Sequence, residues 1–264
     1  MFVPSTKTPF LPLSGSLWPL LLSCSVFILT SSMVLWFQFK ITFLVVVVGL
    51  FITSCVIFTW WRDVVRESLL GYHTIKLSYS MRFGFILFIL SEVFFFLSFF
   101  WAFYDRSLSP AVDIGGCWPP LGILPLETYS IPLLNTVILL SSGVTITWSH
   151  HALILNDYFR RCFSLIFTVV LGIYFLTIQC AEYSEGAFSI ADGIYGSTFF
   201  LRTGFHGFHV VVGTVYLLYT LILMLRGYLT HSHHFSFEAS AWYWHFVDVV
   251  WLFLFLSIYW WGSL

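Results

Sequence analysis

Nine histidines and one isolated glutamate are the residues of this chain whose types and spacing could do chemistry. The histidines fall as His150-His151, His206-x-x-His209 and His231-x-His233-His234, with His73 and His245 on their own. Neutral imidazole ligates zinc, iron and copper, so clustered histidines on apolar helices raise the question of a metal centre. The spacing argues against one. Membrane di-iron enzymes need wider histidine boxes than HSHH supplies, and no third box matches. A haem needs histidines facing each other across two helices at one depth. His206 and His209 share a face of a single helix, which suits hydrogen bonding better. We therefore expect no metal on this chain; the alternative is an autonomous membrane metalloenzyme with histidine ligands.

The glutamate is Glu92, in the tract FILSEVFFFLSFFWAFY that ends at Tyr104. A carboxylate near a bilayer centre costs a few kcal/mol or more unless it is neutral or partnered. Ser91 and Ser98 bring no positive charge, and Arg82 is more than two helical turns away. Glu92 is therefore expected to be a neutral, buried acid, hydrogen-bonded to His206, His209 or a backbone carbonyl of the sixth span. Near the end of the chain, His245 and Asp248 are three residues apart and share a helix face. With His206 and His209 they are candidates for an interhelical polar network.

The elements that must position these groups are membrane helices. The chain has 264 residues, 59% hydrophobic and 9% charged. A soluble domain carries roughly 25% charged residues, so this is an all-α polytopic membrane protein. A helix needs about 20 apolar residues to cross. The hydropathy pattern predicts seven spans: Trp18–Phe37, Ile41–Trp61, Ser80–Tyr104, Tyr129–His151, Phe159–Tyr183, Ile194–Arg226 and Glu238–Gly262. No signal-peptide pattern precedes the first, so it is expected to be retained. A boundary is expected in the Arg62–Tyr79 loop, between a segment 1–79 with the first two spans and a segment 80–264 with the other five.

Charge sets the orientation. Lys7, Arg62, Arg66, Lys76, Arg82, Arg160, Arg161 and Arg226 fall on the N-terminal side; only Lys40 and Arg106 fall on the other. By the positive-inside rule the N-terminus faces the compartment of synthesis. The opposite side carries an acidic loop with Glu182, Glu185 and Asp192. A net charge of -1 gives nucleic acid nothing to bind. The cysteines, Cys24, Cys55, Cys117, Cys162 and Cys180, make no C-x-x-C; the four in apolar runs are expected to be packing residues.

Two polar stretches remain. In WWRDVVRE, Trp60, Trp61, Arg62, Arg66 and Glu67 lie where the second span leaves the bilayer, with His73 and Lys76 beyond. Arginines beside tryptophans suit a phospholipid headgroup, although a plain anchored helix end has the same composition. GGCWPP, Gly115–Pro120, is a rigid turn. Cys117 has no basic neighbour in sequence to activate it.

These strings together resemble subunit III of the haem–copper cytochrome c oxidases, mitochondrial type. The similarity runs through WWRDVVRES, RFGFILFILSEVFFFLSFFWAFY, GGCWPP, PLLNTVILLSSGVTITWSHHAL, DGIYGSTFF, TGFHGFHVVVGT and FEASAWYWHFVDVVWLFLFLSIYWWG, in order and over nearly the whole length. The resemblance implies seven helices, the first two splayed from the other five around a cleft that holds structural phospholipid. It implies a non-catalytic core subunit of respiratory complex IV, multi-pass in the mitochondrial inner membrane, with the N-terminus in the matrix and the C-terminus in the intermembrane space. No cofactor would be bound by this chain; haem a, haem a3 and copper would lie in partner subunits. The main partner would be subunit I, which this subunit stabilises, alongside other complex IV subunits. Glu92 matches a buried carboxyl that modulates proton uptake. Arg66, Glu67 and His73 match a lipid-contact region. Arg202, Asp105 and Arg106 depart from the pattern, and we expect Arg202 and Asp105 to compensate each other as an ion pair.

Overall fold

A computed structural model describes residues 15–231 and 233–263, without the side chain of Asp113; Lys7 and most of the N-terminal leader lie outside the described residues. Among the described residues, seven helices are long and apolar enough to cross a membrane. They are α1 (Trp18–Phe37), α2 (Phe43–Leu69), α3 (Ile75–Leu108), α4 (Ile131–Ile154), α5 (Tyr158–Glu185), α6 (Gly193–Leu225) and α7 (Phe235–Leu254). A π-helical turn, Phe255–Trp260, and a 3-10 turn, Trp261–Ser263, continue α7.

Several helices outrun their apolar cores, because backbone hydrogen bonding does not stop where hydropathy does. α2 runs to Leu69 and α3 starts at Ile75. The predicted loop Arg62–Tyr79 is therefore mostly helix, and only residues 70–74 connect. Likewise α5 continues through Glu182 to Glu185. Glu182 is not a loop residue; it is buried. Local signals set the ends. Asp157 caps α5 by accepting from the Arg160 N–H at 3.1 Å. Gly115 and Gly116, at φ +91° and +63°, supply backbone angles that the turn before Trp118 needs.

The chain divides into two compact units between Met81 and Arg82. In the first, α1 and α2 approach at Gly49. A Cβ there would lie 3.3 Å from the Leu29 Cα. The Trp18 indole donates to Asp63 at 3.1 Å.

In the second, α7 is the keystone. Trp244 is wholly buried. Its ring fills the space left by Gly172 of α5 and Gly213 of α6; a Cβ at Gly172 would fall 2.6 Å from it. Its indole N–H donates to Ser142 of α4 at 2.8 Å. Two turns on, Trp251 donates to Thr136 of α4 at 2.9 Å and packs edge-on against Phe175 at 4.9 Å. A buried indole needs such a partner, so each tryptophan fixes rotation as well as spacing. α3 adds Phe96 and Phe103, both buried. Of the cysteines in helices, only Cys162 is buried; Cys24, Cys55 and Cys180 are exposed on helix faces.

Candidate functional site

α3 and α6 bring Glu92 and His209 together. The His209 Nδ1 lies 2.7 Å from the carbonyl oxygen of Phe205, one turn earlier. A carbonyl only accepts, so Nδ1 carries a proton. The other nitrogen, Nε2, lies 3.0 Å from Oε2 of Glu92. That contact needs one further proton, on the carboxyl or on the ring. A neutral acid donating to neutral imidazole and a carboxylate facing imidazolium are two forms of one pair. Both have zero net charge. This is how the chain keeps a carboxyl among phenylalanines without an uncompensated ion. Phe96 packs against the His209 ring at 5.0 Å, and Tyr243 stacks on it at 6.3 Å. The Glu92 side chain retains 22% of its exposure against 9% for His209, so the acid is the half-open end of the pair.

The other histidines of the expected network have separate partners. His206 donates from Nε2 to the Val247 carbonyl at 3.2 Å, and its ring lies between Phe175 and Trp251. It does not supply the partner of Glu92. His245 approaches Asp248 within α7 at 3.7 Å, too long for a direct hydrogen bond. Gly143 of α4 makes room for that carboxylate, since a Cβ there would lie 2.8 Å from Oδ2. His206 and His209 are thus each committed to a carbonyl on a bundle helix, and they do not oppose histidines across a cavity as haem ligands would.

A third group was not anticipated as a unit. The ligand atoms of His150, His234 and Glu238 lie within 4.8 Å of one another, near enough to hold a metal. Arg82 already sits on that carboxylate, its Nη2 at 3.1 Å from Oε1 and 2.9 Å from Oε2. A cation would have to displace the guanidinium. The arrangement works without one as an ion pair tying α3 to α7, buttressed by His234 at 3.4 Å from Glu238.

Nearly the whole chain matches one family. Residues 8–263 fit the family described as cytochrome c oxidase subunit III. The chain is 54% identical over 247 residues to cytochrome c oxidase subunit 3 of Osphranter robustus, covering 93% of this chain and 94% of that protein. Over the same coverage it is 53% identical to the Rattus norvegicus protein and 52% to that of Cyprinus carpio. This chain belongs to the cytochrome c oxidase subunit III family.

In this subunit III family member the expected lipid-contact stretch lies on the last turns of α2. Asp63 is its hub, 3.0 Å from Arg62 and 3.5 Å from Arg66, and it accepts from Trp18. Trp61, Arg62 and Arg66 are exposed; Trp60, Glu67 and His73 are half-buried. Asp63 thus pairs with arginines one residue before and three after it while also serving the indole of α1.

Two ionisable groups are buried where the sequence suggests a loop acid and an ion-paired arginine. Glu182 is 2% exposed, beside an Asn135–Gln179 hydrogen bond of 3.2 Å that joins α4 to α5. Arg202 is fully buried on α6. The Arg202–Asp105 pair does not form. Asp105 turns to its neighbour Arg106 at 3.2 Å, while Arg202 lies over the rings of Phe103 and Phe100 at 4.1 and 5.2 Å. The reason is helix phase: Arg202 faces inward, whereas Asp105 is exposed. The signal for both groups was present. Arg161, Leu165, Thr168, Gly172, Phe175, Gln179 and Glu182 form one buried stripe of α5, and Tyr195, Phe199, Arg202, His206 and His209 one of α6. Spacings of three and four mark an inward face.

Proposed function

We propose that this chain is the non-redox core subunit III of a mitochondrial cytochrome c oxidase. It sits in the inner membrane with its N-terminus in the matrix and its C-terminus in the intermembrane space. Electrons pass from cytochrome c to O2 through haem a, haem a3 and copper in partner subunits. This subunit stabilises subunit I, holds phospholipid and supports proton uptake. Family membership supports the assembly. The observation that carries the local role is the Glu92–His209 pair. It is net neutral, holds a proton that either partner can carry, and is partly open on the acid side. The proton can pass between the two partners without changing the net charge of the pair, and the acid side is the partly open one. That makes it a modulator of uptake in the neighbouring subunit, and at the same time a hydrogen bond fixing α3 to α6.

The lipid reading rests on chemistry at the end of α2. Trp60 and Trp61 supply interfacial rings, and the exposed Arg62 and Arg66 supply guanidinium groups that suit a phosphate. Glu67 lies on the last turn of α2 and His73 in the connection that follows it.

The decisive experiment is Glu92→Gln in the assembled oxidase. Gln keeps the shape and a donor for His209 Nε2 but cannot release a proton. The expected result is normal assembly and haem content, with most electron transfer retained and proton uptake impaired during sustained turnover. Immediate collapse of turnover in a normally assembled enzyme would place Glu92 directly in the catalytic path and refute the modulator role. For the lipid, protein side chains filling the Arg66 surface in a lipid-retaining preparation would overturn that assignment.

A further inference from the structure

Four polar side chains, Arg82, His150, His234 and Glu238, meet near the start of α3, the end of α4 and the start of α7. The oxidase reading gives them no task. His234 immediately precedes α7, and Glu238 lies in its first turn. The backbone around His234 is well fixed. Thr230 and His233 exchange backbone hydrogen bonds at 3.2 and 3.3 Å. The Thr230 carbonyl oxygen also lies 3.0 Å from His234 Nδ1. A carbonyl only accepts, so Nδ1 carries the proton of the neutral ring. Nε2 then presents a lone pair to Glu238 Oε1 across 3.4 Å. Two opposed acceptors call for a cation or a further proton between them.

The spacing favours a metal cation. A shared proton draws a nitrogen and a carboxylate oxygen to about 2.7–2.9 Å. Two ligands of a tetrahedral zinc ion, each bound at about 2.0–2.2 Å, stand about 3.4 Å apart. His150 supplies a third donor. Its ring lies edge-on to His234 at 5.7 Å and against Phe237 at 5.6 Å. The ligand atoms of His150, His234 and Glu238 all lie within 4.8 Å of one another. Some point is therefore no more than about 2.8 Å from each, and closing to zinc bonds takes shifts of under about 1 Å. All three residues keep accessible surface, which leaves water to complete the tetrahedron. His234 also has the outer contact typical of metal-bound imidazole, an N–H donated to a backbone carbonyl.

Arg82 competes for the same acid. Its Nη2 lies 3.1 Å from Oε1 and 2.9 Å from Oε2 of Glu238. The Arg82 side chain is 43% exposed, so it can swing into water. A half-exposed ion pair is weak beside a set of metal bonds. With Arg82, Glu238 ties α7 to α3; with a metal, it ties α7 to α4.

We propose that His150, His234 and Glu238 form a site for a zinc ion, which displaces Arg82 and exchanges the α3–α7 tie for an α4–α7 tie.

The test uses the membrane assembly that contains this chain, equilibrated with buffered free zinc. Diffraction on either side of the zinc absorption edge should show an anomalous peak within about 2.5 Å of a His150 ring nitrogen, His234 Nε2 and a Glu238 oxygen. Arg82 should be turned away from it. Occupancy against free zinc then gives an affinity. His150→Ala should weaken it about 10-fold or more, since even an outer contact is worth that much. Arg82→Gln should strengthen it, because the competing cation is gone. Zinc held only by exposed His151, His231 or His233 would overturn the proposal, as would the absence of a peak at millimolar zinc. So would an affinity that is unchanged in His150→Ala, or that fails to rise in Arg82→Gln. Should Arg82→Gln fail to assemble, the zinc-bound wild type decides: a guanidinium still on Glu238 beside the ion refutes the exchange.

Discussion

The α4–α7 quartet and the α1–α2 pair are equally able to cross a bilayer, yet they use their apolar residues differently. In the quartet, between 39% and 56% of the most apolar stretch of each helix is buried; in α1 and α2 the shares are 11% and 17%. Hydropathy does not separate them, since α1 and α6 share a mean value of 2.1. What separates them is the distribution of small and polar residues. The quartet has Gly172 and Gly213 against Trp244, and Ser142 and Thr136 for the two indoles. The pair has Gly49 and the Trp18–Asp63 bond. In lipid, where tails are as apolar as leucine, close packing and hydrogen bonds rather than hydrophobicity hold helices together. The quartet is a self-sufficient core. The pair offers most of its apolar surface to lipid or to other chains.

That contrast can be broken most severely at Gly172. Gly172→Val places carbon atoms inside the Trp244 ring and against Thr214. Overpacking of this kind costs about 1–3 kcal/mol or more. We expect most of the assembled complex to be lost, measured on native gels. Normal assembly would show that α5, α6 and α7 are not locked through Trp244.

Next in size is the removal of a partner at the α3–α6 bridge. His209→Leu leaves Glu92 without its acceptor and strands a partly buried carboxyl, worth about 1–3 kcal/mol. The expected outcome is a lower Tm of the assembly. Glu92→Gln should be milder, because the amide still donates to Nε2. If the two variants were equally destabilised, the proton count assigned to the pair would be wrong.

Trp251→Phe sharpens the comparison within the quartet. It loses the Thr136 bond and part of the packing on Phe175, and about 1–2 kcal/mol is expected from the two losses together, with the Thr136 hydroxyl still donating to the Pro132 carbonyl. Trp18→Phe, the matching change in the pair, removes a half-exposed bond to Asp63 and should cost at most about 1 kcal/mol. Thermal melts of the two variants side by side should rank them in that order. The reverse ranking would mean that α1 and α2 depend on the Trp18–Asp63 bond more than the quartet does on the Trp251–Thr136 bond.

The smallest effect is expected from Phe51→Ala on α2, whose side chain is exposed. The α1–α2 contact itself should be unchanged. A marked loss of subunit I from the purified complex would show that this face is covered by protein rather than by lipid.

Much of this protein was legible without coordinates. Seven long apolar runs can only be membrane helices, because a lipid-exposed backbone must satisfy its own hydrogen bonds. The motif strings gave the family, and the isolation of Glu92 among phenylalanines implied a partner on another helix, which is His209. The 3-and-4 stripes even marked Glu182 and Arg202 as inward-facing, had they been read. Tertiary structure decided which inward groups meet. Periodicity gives the phase of one helix, but a pair depends on the rotation and depth of two. His209 rather than His206 faces Glu92 because the Phe205 carbonyl, one turn back, holds its ring. His206 is drawn instead to Val247 of α7. Asp105 and Arg202 are complementary in sequence and apart in space, since one points out of α3 and the other into the bundle. Hydropathy likewise placed the middles of the helices but not their ends. The backbone ladder of α2 and α5 ran on until a turn of suitable geometry stopped it, carrying Asp63 to Trp18 and Glu182 into the core.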